Sequence, residues 1–478
     1  MPGCGRNWDI VKMVHRRYQN SLKASKHREE VKKMKYEIDM CHGSLFDKLI
    51  SFSIPLMISG ILQLLFNAVD IIVVGRFSGS EALAAVGSTT ALINVFTNLF
   101  IGISLGANVL AARYFATGET QKMSDTVHTS LALALWSGIF MGIIGILFSK
   151  GALLLMGTPK QVLYQAALYM KIYFAGMPFF MLYNYGAAIL RAVGDTRRPL
   201  YFLIVSGIVN AVLNLFLVIH FHMGVAGVAI ATVIAQLLSS CMVMICLYRS
   251  EGSYQFRFSK LGIKWEYARQ IFQVGIPAGI QSTIINFSNV LLQSSVNSFG
   301  AVAMAGYTAA NNIFGFLYVS VNAITQTCMS FTSQNYGVGQ YKRMDRILKE
   351  CLLLTVITAG VLGGASYLLG PELLSIYTDS AKVVACGMEI LLYTTVTYFL
   401  CGIMDLFPGA LRGMGHSTVP MLLSVIGTVG TRIIWIYLIF PQYRTLSVLF
   451  LSYPASWLLT ILMQVVCFSY VRKKVQRG

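Results

Sequence analysis

The chain has 478 residues, 56% of them hydrophobic and only 12% charged, with a mean hydropathy of +0.65. Soluble domains carry about 25% charged residues, so a water-soluble globular architecture is excluded. A net charge of +18 invites a nucleic-acid reading, but the placement of the charges along the chain argues against it.

Residues 1–45 are polar and basic, with Arg16, Arg17, Lys32, Lys33 and Lys35 among acids such as Glu29 and Glu30. They read as an N-terminal tail, solvated or drawn to anionic lipid, and not as a signal peptide. Apolar runs long enough to cross a ~30 Å hydrocarbon core then follow at about 50–75, 83–112, 128–149, 162–190, 199–220 and 224–248. After a polar stretch, six more occupy about 271–298, 303–331, 351–370, 383–411, 420–440 and 447–471. The fold class expected is an all-α polytopic membrane protein with twelve transmembrane helices.

With the N-terminus inside, thirty Lys and Arg residues fall on the inner side and six on the outer side, with Arg432 inside a span. That is the positive-inside bias, and it places both termini in the cytoplasm of a cell-membrane protein. The nine cysteines form no C-x-x-C pair and read as buried thiols. Neither a metal nor a nucleic-acid partner is expected.

The first span holds the most informative residue. Asp70 sits in an otherwise uncharged stretch, Ile61–Gly75, where an aspartate costs up to about 2.5–3.5 kcal/mol. The protonated form is the cheaper one there, because burial disfavours charge. A carboxyl that loads and releases a proton in hydrocarbon is the working part of an ion-coupled transporter. Asn210 and Asn214 follow in the fifth span at i and i+4, on one helix face. The tenth span carries Glu389 and Asp405, and the eleventh carries Arg432.

The chain also repeats at an offset of 221 residues: Gly79, Gly118, Leu190-Arg191, Gly194 and Pro199 are answered by Gly300, Gly339, Leu411-Arg412, Gly415 and Pro420. Pro55 and Pro277 correspond one residue out of register. Six spans per unit make the repeat parallel, with sites at the interface of the two units. The organisation expected is a tail at 1–45, a first lobe at 46–250, a linker at 251–269 and a second lobe at 270–478. The loops at 191–199 and 412–420 read as tight turns opening the next helix.

Ser53–Gly87, Ala187–Pro199 and Gly409–Pro420 together resemble the multidrug and toxic compound extrusion (MATE) family, over about residues 45–475. The resemblance implies two six-helix lobes around a central cavity. It also implies export of organic, often cationic compounds against entry of H+ or Na+, without a bound cofactor. By the same resemblance, Asp70 is the ion-coupling acid, Tyr169, Asn184, Asn210, Asn214 and Thr232 form a polar network around it, and Pro55 is a hinge of the first helix. Ordinary interhelical packing is the plain alternative for the network, and a static kink for Pro55. Asn214 stands where some relatives have a second aspartate, which favours a one-proton site over a Na+ site. Ile285 stands where one branch of the family has a glutamate.

In the second lobe, Asp405, Arg432, Gln281, Tyr307 and Asn311 are candidates for a cavity-lining site, with Asp405 alternatively paired to Arg432. The function expected is a secondary active antiporter of cationic or amphipathic small molecules, working as a monomer in the bilayer. No phosphate-binding loop of the G-x-x-x-x-G-K-[ST] type is present, and no cluster suited to an enzyme. The alternatives are a lipid-linked oligosaccharide flippase, which a deep cation such as Arg432 would suit, and a channel.

Overall fold

In a computed structural model, residues 36–477 are described and are nearly all helical. The basic segment 1–35 therefore lies outside the described residues. The first six spans are α1 (Phe46–Phe77), α2 (Ser80–Ala116), α3 (Thr120–Leu155), the bent pair α4 (Lys160–Ala175) and α5 (Met177–Ala192), α6 (Arg197–Leu215, prolonged by a π turn at Phe216–His220) and α7 (Gly224–Arg249). The second six begin with α8 (Trp265–Asn297), α9 (Ala301–Gly337) and α10 (Tyr341–Leu368). After the short α11 (Gly370–Ser375) comes a second bent pair, α12 (Ala381–Thr394) and α13 (Tyr398–Gly413). The next span is broken into α14 (Thr418–Ser424), α15 (Thr431–Ile434) and α16 (Phe440–Tyr443) by π turns at Val425–Gly430 and Trp435–Ile439, and α17 (Leu446–Arg477) is the last.

All twelve expected spans are thus present. Eight are continuous helical stretches, π turns included, long and apolar enough to cross a bilayer, and the pairs bent by 47° and 43° supply two more. α8 and α9 have the length, 33 and 37 residues, but more polar sequences. Much of the polarity of α9 is turned into protein: Ser320, Thr327, Ser330, Thr332, Ser333, Gln334 and Asn335 are all buried. The repeat is visible in the backbone, since Gly79 and Gly300, Gly118 and Gly339, and Gly194 and Gly415 adopt matching left-handed φ values.

The two expected tight turns are observed. Asp195 Oδ1 accepts the backbone N–H groups of Arg197 and Arg198 at 3.1 and 3.0 Å, and its other oxygen pairs with the Arg198 side chain. Burial pushes the Asp195 carboxyl above its ordinary value, against the pull of Arg198 and those N–H groups.

The first and second sets of six helices meet through glycine. Gly102 and Gly106 on α2 face Gly275 and Gly279 on α8, a G-x-x-x-G pair on each side. A Cβ on any of the four would overlap the backbone of the opposite helix. With lipid tails as apolar as side chains, such close backbone approach is what holds membrane helices together. A parallel contact joins α1 to α9, where Gly60 receives Val319 and Ser53 Oγ meets Thr327 Oγ1 at 2.8 Å.

Nearer the basic ends of the helices, α9 ties the sets together by hydrogen bonds. Ser330 donates to Asn108 Oδ1 at 3.0 Å, Ser333 to the Val109 carbonyl at 2.6 Å and Gln334 to the Ala192 carbonyl at 2.7 Å. The Arg113 guanidinium lies over the Tyr336 ring.

Residues 36–45 are not the solvated extension expected of them. Met40 is fully buried and Leu45 nearly so. On the first-set side, Ile38 N–H donates to the Gly194 carbonyl at 3.2 Å, Tyr254 OH donates to Glu37, and Arg198 lies over the Tyr36 ring. On the second-set side, Asn335 and Arg343 both donate to the Met40 carbonyl, and Arg343 also reaches the carbonyls of His42 and Gly43. The strap bridges both sets across the basic face because its backbone carbonyls find donors on one side and its backbone N–H finds an acceptor on the other.

Overpacking a tight contact costs about 1–3 kcal/mol. Gly275→Leu is therefore expected to lower the thermal unfolding midpoint of the detergent-solubilised protein. Gly364→Leu, at a position that opens onto free space, leaves the midpoint unchanged.

Candidate ion and substrate site

Asp70 lies two turns from the end of α1, with 7% of its surface exposed. Its carboxylate accepts Asn214 Nδ2 from α6 and is reached by Thr232 Oγ1 from α7 at 3.2 Å. Asn214 Nδ2 also approaches Asn210 Oδ1 at 3.3 Å, and Asn210 Nδ2 approaches Thr232 Oγ1 at 3.4 Å. Three helices thus converge on one carboxyl, and the i, i+4 spacing of the two asparagines aims both amides at it.

Among the described residues no Lys, Arg or His pairs with Asp70. This sets it apart from Asp125, Asp195 and Asp345, which pair with Lys264, Arg198 and Arg472 on the basic side of the bundle.

The donor count of the cluster is short. Thr232 carries one hydroxyl proton, and both Asp70 Oδ2 and the Val228 carbonyl, at 3.0 Å, compete for it. Asn214 Oδ1 is buried and accepts nothing. A proton on the Asp70 carboxyl would supply the missing donor, leaving Thr232 free to bond its own helix.

Tyr169 is buried beside this cluster and stacks on Tyr173 at 6.2 Å, close enough to Asp70 to feel its charge. Tyr173 is likewise within range of that charge. It escaped the sequence reading although it lies one turn from Tyr169. Asn184 does not join the cluster, because its amide donates to the Phe180 carbonyl of its own helix at 2.8 Å. Pro55 is buried inside a continuous α1, and its carbonyl accepts Ser59 Oγ at 2.7 Å.

The second-half candidates divide into two groups. Arg412 donates to Gln281 at 2.7 Å, and its charge acts on Asp405. The alternative pairing of Asp405 with Arg432 is not formed. Asp405 lies on α13 in the field of Arg412, seven residues on, whereas Arg432 faces α8 and α17. There Arg432 Nη1 donates to Asn289 Oδ1 at 3.0 Å and approaches Ser288 Oγ at 3.5 Å, and its guanidinium lies 4.3 Å from the centre of the Tyr453 ring. Tyr307 stacks on Phe450 and, with Asn311 and Tyr453, lines a small void beside this group. Asn289 and Tyr453 were not anticipated. The polar pair Ser288-Asn289 inside an apolar run was the available signal.

A twelve-span bundle built of two similar halves, with a buried carboxyl free of any cationic partner in one of them, is the architecture of a membrane transporter. The sequence profile of the MatE family matches the chain twice, at residues 55–216 and 277–438. The chain belongs to that family. It is 27% identical over 444 residues to the Probable multidrug resistance protein YoeA of Bacillus subtilis (strain 168), covering 91% of this chain and 95% of the relative. It is 23% identical over 439 residues to the Multidrug export protein MepA of Staphylococcus saprophyticus, covering 88% and 96%.

Among solved structures, a MATE protein crystallised in complex with MaL6 superposes with a TM-score of 0.86 at 20% identity, covering 92% of this chain and 99% of that one. An outward-facing multidrug resistance MATE transporter of the MOP superfamily gives 0.84 at 20% identity, covering 92% and 98%.

Removing one partner of a buried polar group costs about 1–3 kcal/mol. Asn214→Ala is expected to lower the unfolding midpoint by that order. Asn184→Ala, which breaks only a bond within its own helix, costs less than Asn214→Ala and leaves transport intact. Paired thermal and transport measurements check both.

Proposed function

We propose that the protein exports organic compounds, cationic or amphipathic, in exchange for H+ entering through Asp70, by alternating access between the two six-helix halves. The observation that carries this reading is the buried Asp70 carboxyl held only by neutral partners, Asn214 and Thr232. With no cation to fix it as an anion, its ionisation is free to follow its surroundings. The single hydroxyl proton of Thr232, for which Asp70 and the Val228 carbonyl compete, leaves room for a proton on the carboxyl. Na+ fits less well, because a hard cation wants several anionic or carbonyl oxygens and Asp70 is the sole acid of the cluster. The names of the relatives, a multidrug resistance protein and a multidrug export protein, agree with drug-like substrates.

By the positive-inside rule the basic face is cytoplasmic, with both termini there and the chain in the cell membrane. The glycine contacts, the hydrogen bonds of α9 and the strap at 36–45 then close the cytoplasmic side. Opening that side must part the strap from Asn335 and Arg343.

Asp70→Asn keeps the shape and removes the titratable group. In proteoliposomes with an imposed pH gradient, ethidium transport by this variant is expected to fall at least about tenfold, toward the protein-free background. Undiminished transport would reject the assignment, and transport driven equally well by a Na+ gradient would reject the proton.

A second measurement follows the strap. With every other cysteine replaced by serine, the buried Cys41 should react slowly with a maleimide at rest and several-fold faster during turnover. Labelling that ignores turnover would mean the strap does not move.

A further inference from the structure

The second half of the molecule contains a charge that nothing in the bundle neutralises. Arg432 has 3% of its surface exposed, lies within a membrane-spanning segment, and among the described residues pairs with no carboxylate. Its guanidinium has five N–H donors. Asn289 and Ser288 take up Nη1, Tyr453 offers the face of its ring, and Nε has no partner. A buried cation without its anion is costly, and such residues inside membranes face one another or a pathway.

Its position is not arbitrary. By the 221-residue offset of the repeat, Asn210 corresponds to Thr431, so Arg432 stands one residue beyond it on the equivalent span. The geometry agrees with that correspondence. Asn210 reaches across to Thr232 on the following span, and Arg432 reaches across to Tyr453 on the following span. A π turn closes the helix just after the asparagine pair, and π turns precede and follow Arg432. Such turns re-aim side chains and are frequent at functional sites. On the span equivalent to the one that carries the two amides of the first half, the second half therefore presents a cation.

Room for a ligand lies next to it. Ile433 and Ile436, one and four residues beyond Arg432, line a cavity of about 360 Å³ together with Ser294, Ser298 and Phe440, and Arg444 stands at its far end. Serine hydroxyls, apolar walls and Arg444 line this space, and Arg432 lies in the same helical stretch directly before Ile433.

We propose that the second half holds an anion-accepting site, in which Arg432, set by Asn289 and Tyr453, takes the carboxylate, sulfonate or phosphate group of an organic compound. A guanidinium fork matches the two oxygens of such a group. The site widens the substrate range from cations to anionic and zwitterionic amphiphiles. The proposal rests on the transporter reading only in supposing that the bound compound is carried. Binding to the purified protein needs no ion gradient, so its failure and a failure of Asp70 coupling are told apart.

The test uses two xanthene dyes of similar ring system and opposite charge, fluorescein and rhodamine 6G, titrated against the intact protein in neutral detergent and followed by fluorescence anisotropy. Wild-type protein is expected to bind fluorescein. Arg432→Gln is expected to weaken this at least tenfold, and Arg432→Lys less severely, with rhodamine binding changed less than about threefold in both.

Asn289→Asp guards against misfolding. It places a carboxylate against the guanidinium, so the variant should fold at least as stably as wild type and lose fluorescein binding. If Arg432 were only a packing strut, Asn289→Asp would leave fluorescein binding as it was, and that result overturns the proposal. So does absence of fluorescein binding by the wild-type protein at millimolar dye. Adding phosphatidylglycerol separates sources: displacement of the dye assigns the same site to a lipid phosphate, and retention assigns it to a free compound.

Discussion

A polar group inside hydrocarbon has no water to fall back on, so each one must be satisfied by protein or by something the protein binds. This constraint organises the whole molecule. The polar side chains of α9 are spent on Asn108, Val109 and Ala192 across the interface, which is why a helix too polar to pass as a simple lipid-facing span is at home in the bundle. Two of the groups left out of balance under the same rule stand at the centres of the two halves. Asp70 is an anion or acid with only neutral partners, and Arg432 is a cation with no anion. Each is tolerated where a ligand, a proton in one case and an anionic group in the other, would complete the set.

The interface between the halves is made of things that separate without leaving an unpaired charge. Glycine backbones on α2 and α8 meet by van der Waals contact, and the hydrogen bonds of α9 and of the strap involve hydroxyls, amides and backbone carbonyls. Arg113 and Arg343 are exceptions: Arg113 lies over the Tyr336 ring, and Arg343 stands on the basic face, where exposed carbonyls of the strap receive it. An interface of this composition holds one arrangement firmly, yet its groups find water on the side that opens.

Duplication with divergence explains the asymmetry between the halves. Matching glycines keep the same left-handed turns, so the scaffold is common to both. The side chains at its centre are not: an acid and two amides in one half, an arginine, an asparagine and a tyrosine in the other.

Much was legible in the sequence alone. The twelve spans, the repeat and the singular standing of Asp70 follow from hydropathy, spacing and the cost of charge in lipid, which are local properties of the chain. The convergence of Asn210, Asn214 and Thr232 on Asp70 was read through family resemblance and needed three helices to meet. The glycine pairs were present as G-x-x-x-G patterns, but which helices they join depends on packing. The exclusion of Asn184, the parting of Asp405 from Arg432, and the strap at 36–45 depend on side-chain direction and on chain segments far apart in sequence. Sequence by itself determined what must cross the membrane and which groups are costly there. Only the tertiary structure decided which partners those groups have, because a partner is defined by distance across helices and not by position along one.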